Sequence, residues 1–173
     1  MKILISNRQN ACKLDTSRIR KLALLLMSHL RRLTGNKAWA EISLVFVNDT
    51  LIRRINKSYF RDPGVTDVIS FRYTPLPGQG SAWSGEVIVN VEQALRARPG
   101  SRREQSRELA LYLAHGCDHL SGATDAARAG YMRMRRRELR WLRQRPSSGY
   151  ADNLITSIRK TRGKARQDDR ISC

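Results

Sequence analysis

His115-Gly116-Cys117-Asp118-His119-Leu120-Ser121-Gly122-Ala123-Thr124-Asp125 is the stretch on which the reading of this chain turns. Ser101 upstream is a good N-cap, and the segment from there to Leu120 carries an unbroken helical pattern. Gly122 is placed to end it. A helix puts His115 and His119 at i and i+4, on one face and a turn apart. At that spacing two imidazoles reach one metal ion at about 2.0–2.1 Å. Gly122 then turns the chain back, so that Asp125 supplies a third ligand. Two nitrogens and one carboxylate leave a fourth position for water, the open arrangement of a catalytic zinc site. Such an ion brings the pKa of a bound water to about 7.

Two neighbours of the pair leave alternatives open. Asp118 suits an alternative ligand, a partner for a histidine N–H, or a solvated helix carboxylate. Cys117 is two residues from each histidine, so it faces away from them and reads as a small packing residue. The remaining histidine, His29, sits on an earlier helix without a partner pattern and reads as an ordinary helix residue.

Outward from this helix, the rest of the chain alternates strands and helices. Lys2 to Ser6 reads as a short strand. Leu14 to Leu33 reads as a helix capped by Asp15, Thr16 or Ser17, with Ile19, Leu22, Ala23, Leu26 and Leu30 on one face and Gly35 at its end. Glu41 to Val47 alternates as a strand, with Ile42, Leu44 and Phe46 on one side. A helix capped by Asn48 or Asp49 follows to about Tyr59. Arg61-Asp62-Pro63-Gly64 is turn chemistry. Thr66 to Phe71 and Gly85 to Asn90 are strands separated by a loop rich in Pro and Gly. Thr66 and Asp67 either line a cleft or serve the strand and its turn, and Glu86 is read as a strand-edge residue. Val91 to Arg98 is a short helix, and Ala126 to Arg143 is a last one, dense in Arg. The order specifies an α+β fold: a single mixed sheet of about four strands with packed helices. Residues 1–145 form one domain. Residues 146–173, polar and basic, are expected to be a largely disordered tail, with a short helical piece around Asn153 to Arg159.

Charge narrows the function. The chain has 173 residues with 33 Lys and Arg against 15 Asp and Glu, a net +18. A surplus of this size sets up a field that attracts polyanions. Arg128, Arg133, Arg135, Arg136, Arg137, Arg140, Arg143 and Arg145 face one acid, Glu138, along the last helix. An Arg face beside a metal cleft suggests a phosphate track, and Arg133, Arg136 and Arg140 are the expected RNA contacts. Cys12, Cys117 and Cys173 form no disulfide framework. The N-terminus lacks a long apolar run and no segment is long and apolar enough to span a membrane. A cytoplasmic protein with no membrane partner and no organic cofactor is therefore expected.

Taken together, the motifs resemble the bacterial rRNA maturation factor (YbeY) family, whose signature reads HGxxHLxGxxH. His115, Gly116, His119, Leu120 and Gly122 match it position by position. Asn56 and Tyr59, then Thr66-Asp67-Val68-Ile69-Ser70-Phe71, then Gly85-Glu86-Val87-Ile88-Val89, match upstream family segments in order and spacing. The resemblance covers about residues 40 to 142. It implies a single-strand-specific endoribonuclease acting in 16S rRNA maturation and ribosome quality control. It further implies one zinc-type ion per chain, and 16S rRNA and the small ribosomal subunit as partners. Three positions depart from the pattern. Asp125 stands for the third histidine, and carboxylate is a competent zinc ligand. Val65 replaces a proline. Phe60 occupies the place of a functional arginine, and Arg61 follows it as the expected substitute, acting with His115 in catalysis.

Two other functions fit less of the sequence. A zinc peptidase of the HExxH type needs Glu directly after the first histidine, where this chain has Gly116. A non-enzymatic ribosome assembly factor would keep the fold and tolerate Phe60 and Asp125.

Overall fold

The computed structural model describes residues 1–75, 78, 80–144 and 147–158, the side chains of residues 147 and 148 excepted. Strands β1 (Lys2–Asn7), β3 (Trp39–Val47), β4 (Val68–Tyr73) and β5 (Trp83–Asn90) form a four-stranded sheet in the order β1-β3-β5-β4. β1 and β5 run parallel to β3, and β4 is antiparallel to β5. The α+β expectation therefore holds, with β4 open along one edge.

Alternation along the strands assigns each face a helix set. Ile42, Leu44, Phe46, Val87 and Val89 point into the main core, with α1 (Thr16–Leu33), α3 (Val91–Ala97) and α4 (Arg102–Leu120). Val47, Ile69 and Ile88 point the other way, against Ile52 of α2 (Asp49–Phe60). Asp15, Asn48 and Ser101 cap α1, α2 and α4 by accepting a backbone N–H from the first turn of each. α4 packs across β5 and the edge strand β4 and is buried around most of its circumference. Gly116 makes that close crossing feasible: a Cβ there would stand 2.4 Å from Val87 Cγ1 and 2.8 Å from Val68 Cγ2. Ser70 Oγ donates to the Gly116 carbonyl across the same seam.

The chain corrects the expected boundary at 145. After α5 (Arg128–Arg143), a short helix α6 (Ser147–Ala151) leads into β6 (Ile155–Ile158), which pairs antiparallel with β2 (Cys12–Leu14) in a second, two-stranded sheet. Ala151, Leu154 and Ile155 are buried in the main core. Asp15 N–H donates to the Leu154 carbonyl, and Ile155 N–H donates to buried Ser106 Oγ. Asp152 takes ion pairs from Arg103 and Arg107 of α4. The fold thus extends through Ile158, and the helical piece expected around Asn153 to Arg159 is a turn at Asn153 and a bend at Leu154 followed by strand Ile155–Ile158. The rest of the expected tail, residues 159–173, lies outside the described residues.

Candidate metal centre and its cleft

α4 brings its two histidines to the sheet edge next to β4. Gly122, at φ 92°, takes the left-handed turn that ends the helix, and its N–H donates to the His119 carbonyl. The chain then returns Asp125 to the histidine face. α5 packs so closely on this return that a Cβ at Gly130 would lie 2.4 Å from the Thr124 carbonyl oxygen.

The three expected ligands converge. His115 Nε2 is 3.1 Å from His119 Nε2 and 3.4 Å from Asp125 Oδ2; His119 Nε2 is 3.8 Å from Asp125 Oδ1. One ligand atom from each residue lies within 4.8 Å of the others. Ligands at 2.0–2.1 Å in a tetrahedron stand about 3.4 Å apart, so the spacing fits a zinc-sized ion.

The outer hydrogen bonds give the stronger test. His115 Nδ1 is 2.7 Å from Glu138 Oε1, and His119 Nδ1 is 3.0 Å from the Ala123 carbonyl. A carbonyl can only accept, and so can a carboxylate, which places a proton on each Nδ1. In the neutral rings both Nε2 lone pairs then face one another and the Asp125 carboxylate. An acceptor-only cluster of this kind calls for a cation at its centre. Burial pulls the His115 pKa down, but the hydrogen bond and charge of Glu138, with Asp67 and Asp125, outweigh it and leave it raised.

Glu138 is the functional residue that sequence reasoning missed. It is buried at 1 % exposure, and it fixes the ring of His115 from α5. Asp118 resolves the other way. It is fully buried and bonded through both oxygens to Arg137 at 2.6 and 3.0 Å, which leaves it facing away from the ligands as a structural ion pair. Burial raises its pKa against the pull of Arg137. Cys117 is buried as a packing residue, and its thiol is pushed up to about 12 by burial and by Asp118. His29 stacks on Trp141 at 5.2 Å.

A cavity of about 360 Å³ opens beside His115, a ligand-site volume. Thr66 and Asp67 line it, together with Tyr112, Tyr131, Arg135 and Glu138. Asp67 also receives the Val68 N–H and the Thr66 hydroxyl, so these residues serve turn and cleft together. The basic residues distribute differently from expectation. Arg133, Arg136 and Arg140 are exposed on the face of α5 opposite Met134, Glu138 and Trp141, which are buried. Arg135 is the arginine that lines the cleft. Arg61 caps α2 in a left-handed conformation at φ 59° and is exposed. It is not among the residues lining the cavity. Phe60, in the place of the family arginine, stacks on Phe71 at 6.1 Å. No described helix is long and apolar enough to cross a membrane.

Comparison with known proteins gives a consistent result. The family described as Endoribonuclease YbeY matches residues 4–145. An Endoribonuclease YbeY of Anaeromyxobacter sp. is 35 % identical over 75 % of this chain and 64 % of its own length. One from Anaeromyxobacter dehalogenans is 39 % identical over 48 % of this chain and 42 % of its own length. The Geobacter metallireducens protein of the same description is 35 % identical over 80 % of this chain and 89 % of its own length. The chain thus spans less than two thirds of both Anaeromyxobacter relatives and most of the Geobacter one.

Proposed function

The chain belongs to the endoribonuclease YbeY family, and on that premise we propose that it is a metal-dependent, single-strand-specific endoribonuclease working in 16S rRNA maturation on the small ribosomal subunit. The observation that carries this reading is the convergence of three acceptor groups, His115 Nε2, His119 Nε2 and Asp125, at the mouth of a cleft walled by Arg135. Those three residues would hold one zinc-class ion. When bound, such an ion supplies a water acidified to a pKa of about 7 and a positive charge at the phosphoryl oxygens.

The protein's own groups do the remaining work. Glu138 holds the His115 ring in the orientation that presents Nε2. The Ala123 carbonyl does the same for His119. Arg135 binds the scissile phosphate and offsets charge building on it. Arg61, four residues before Val65 in the loop that leads into the cleft, serves a neighbouring phosphate. Arg133, Arg136 and Arg140 act at longer range, drawing the polyanion to α5.

A peptidase reading is disfavoured by packing. The side chain required after the first histidine cannot be placed at Gly116 without displacing Val87 and Val68. The assembly-factor reading stands as the competitor. A labelled single-stranded RNA, incubated with purified protein before and after chelation, separates the two. Cleavage lost with chelator and restored by zinc supports the nuclease; stoichiometric metal without any cleavage supports the assembly factor.

A further inference from the structure

The chain has only three Phe and five Tyr, and two of each meet at one corner of the surface. Tyr59 and Phe60 end α2, and Phe71 lies on the adjoining edge strand β4. Its ring is 4.8 Å from that of Tyr59 and 6.1 Å from that of Phe60, the latter pair stacked at 12°. Tyr73 is two residues further along β4 and so shares the face of Phe71. Three of these rings are open to solvent: Tyr59 at 68 %, Phe60 at 56 % and Tyr73 at 52 %. A soluble domain seldom leaves clustered aromatic surface uncovered without a partner for it.

The surroundings indicate which partner. Arg53, Arg54, Lys57 and Arg61 are exposed on α2 and its cap. Asp49 on the same helix is already neutralised by Arg96. The acids that remain include Asp62, Glu86, which is opposite Phe71 in the strand pairing, and Glu92, which accepts the Asp49 N–H at the far end of α2. Aromatic faces set in a cationic surround are how proteins hold unpaired nucleotides, because every base offers a π-face and every link a phosphate. The corner also connects to the cleft. The loop after Phe60 reaches Val65, Thr66 and Asp67, which line the cavity beside His115. Phe71 is four residues from Asp67, the residue just before β4, about 13 Å at the rise of a strand.

We propose that Tyr59, Phe60 and Tyr73, backed by Phe71, form a stacking platform for unpaired bases of a single-stranded RNA whose phosphate chain continues into the metal cleft. The platform reads the substrate as single-stranded, since paired bases cannot offer their faces. It also accounts for Phe60: the position of a family arginine is occupied by a ring that stacks with its neighbours and leaves more than half its surface for a ligand. The inference rests on RNA being the substrate.

The test is base-dependent affinity. A fluorescently labelled oligouridylate and an abasic strand of the same length are titrated against the full-length protein and against the triple variant Tyr59→Leu, Phe60→Leu, Tyr73→Leu. Leucine keeps the surface apolar while removing the π-faces, and the sites are exposed, so folding is spared. Metal content and melting temperature of the variant are measured alongside. Wild type should bind the base-bearing strand more tightly by about tenfold for each stacked base. The triple variant should lose that preference while keeping its affinity for the abasic strand. A preference retained in the variant overturns the platform and leaves the RNA reading intact, as does a variant that loses only association with a protein partner. Wild type that binds neither strand overturns both.

Discussion

Glu138 Oε1 lies 2.7 Å from His115 Nδ1, joining a carboxylate on α5 to a histidine of the candidate metal centre on α4 across 23 positions of sequence. Removing the acceptor frees the imidazole to rotate and to change tautomer. Glu138→Leu keeps a side chain of similar size without an acceptor, and metal affinity should fall about 10–100-fold, the usual effect of losing such a partner. Competition against a chromogenic chelator measures it. Unchanged affinity would mean that packing alone holds the ring.

Asp125 and Asp118 should separate cleanly. Asp125→Ala should lose the metal and cleavage together, whereas Asp125→His should keep the ion. Asp118→Ala should retain one ion per chain yet lose on the order of 1–3 kcal/mol of stability, because it removes the hydrogen-bonded partner of the partly exposed Arg137. Metal analysis and denaturant titration read the two effects. Full activity in Asp125→Ala would refute the ligand assignment.

The outer arginines and Arg135 should differ in kind. Neutralising Arg133, Arg136 and Arg140 together should make the slope of log K against log salt shallower by about 2, at roughly 0.7 per phosphate for single strands. Metal content should not move. Arg135→Gln should change that slope by less than 1 while lowering the cleavage rate at saturating RNA. An unaltered slope in the triple variant would exclude the outer face of α5 from contact.

Ending the chain at Asn153 rather than Ile158 should be costly. Leu154 and Ile155 are both essentially buried, each contributing about 1.5–3 kcal/mol. The difference between the two truncations should be a drop in melting temperature on the order of 10 °C. Equal melting temperatures would mean that β6 contributes nothing to the folded state.

Asp49 sets an acid limit on stability. The Arg96 guanidinium holds its pKa below the usual carboxylate value, against the effect of burial and with help from Asn90. A depressed folded pKa contributes stability that is present above the unfolded value and is lost as pH falls through the folded one. Asp49→Asn should therefore narrow the gap to wild type as pH falls below about 4. A gap that persists at lower pH would point to packing rather than charge.

Much of the fold was legible because its helices and strands carry their own periodicity and caps; Asp15, Asn48 and Ser101 each do what their residue type suggests. The pairing of His115 and His119 on one helix face was legible because i, i+4 spacing is a local property. What escaped was non-local. Ile155–Ile158 is short, with polar Thr156 and Ser157 between its two Ile residues, and becomes a strand by pairing with Cys12–Leu14 from the far end of the chain. Glu138 was read as a stray acid among arginines because its partner lies on another helix. The Arg pattern identified a charged face of α5, but the direction of that face depends on how Met134, Glu138 and Trp141 dock.

Gly116 also bears on the evolutionary reach of this centre. Glutamate at that position would turn the histidine pair into the signature of a different hydrolytic chemistry, yet its side chain would collide with Val87 and Val68. Trimming those valines first leaves voids beneath α4, and introducing the glutamate first forces the helix off the sheet. Either order passes through a poorly folded intermediate. A glutamate at this position therefore requires matching changes at Val87 and Val68, which couples the three residues.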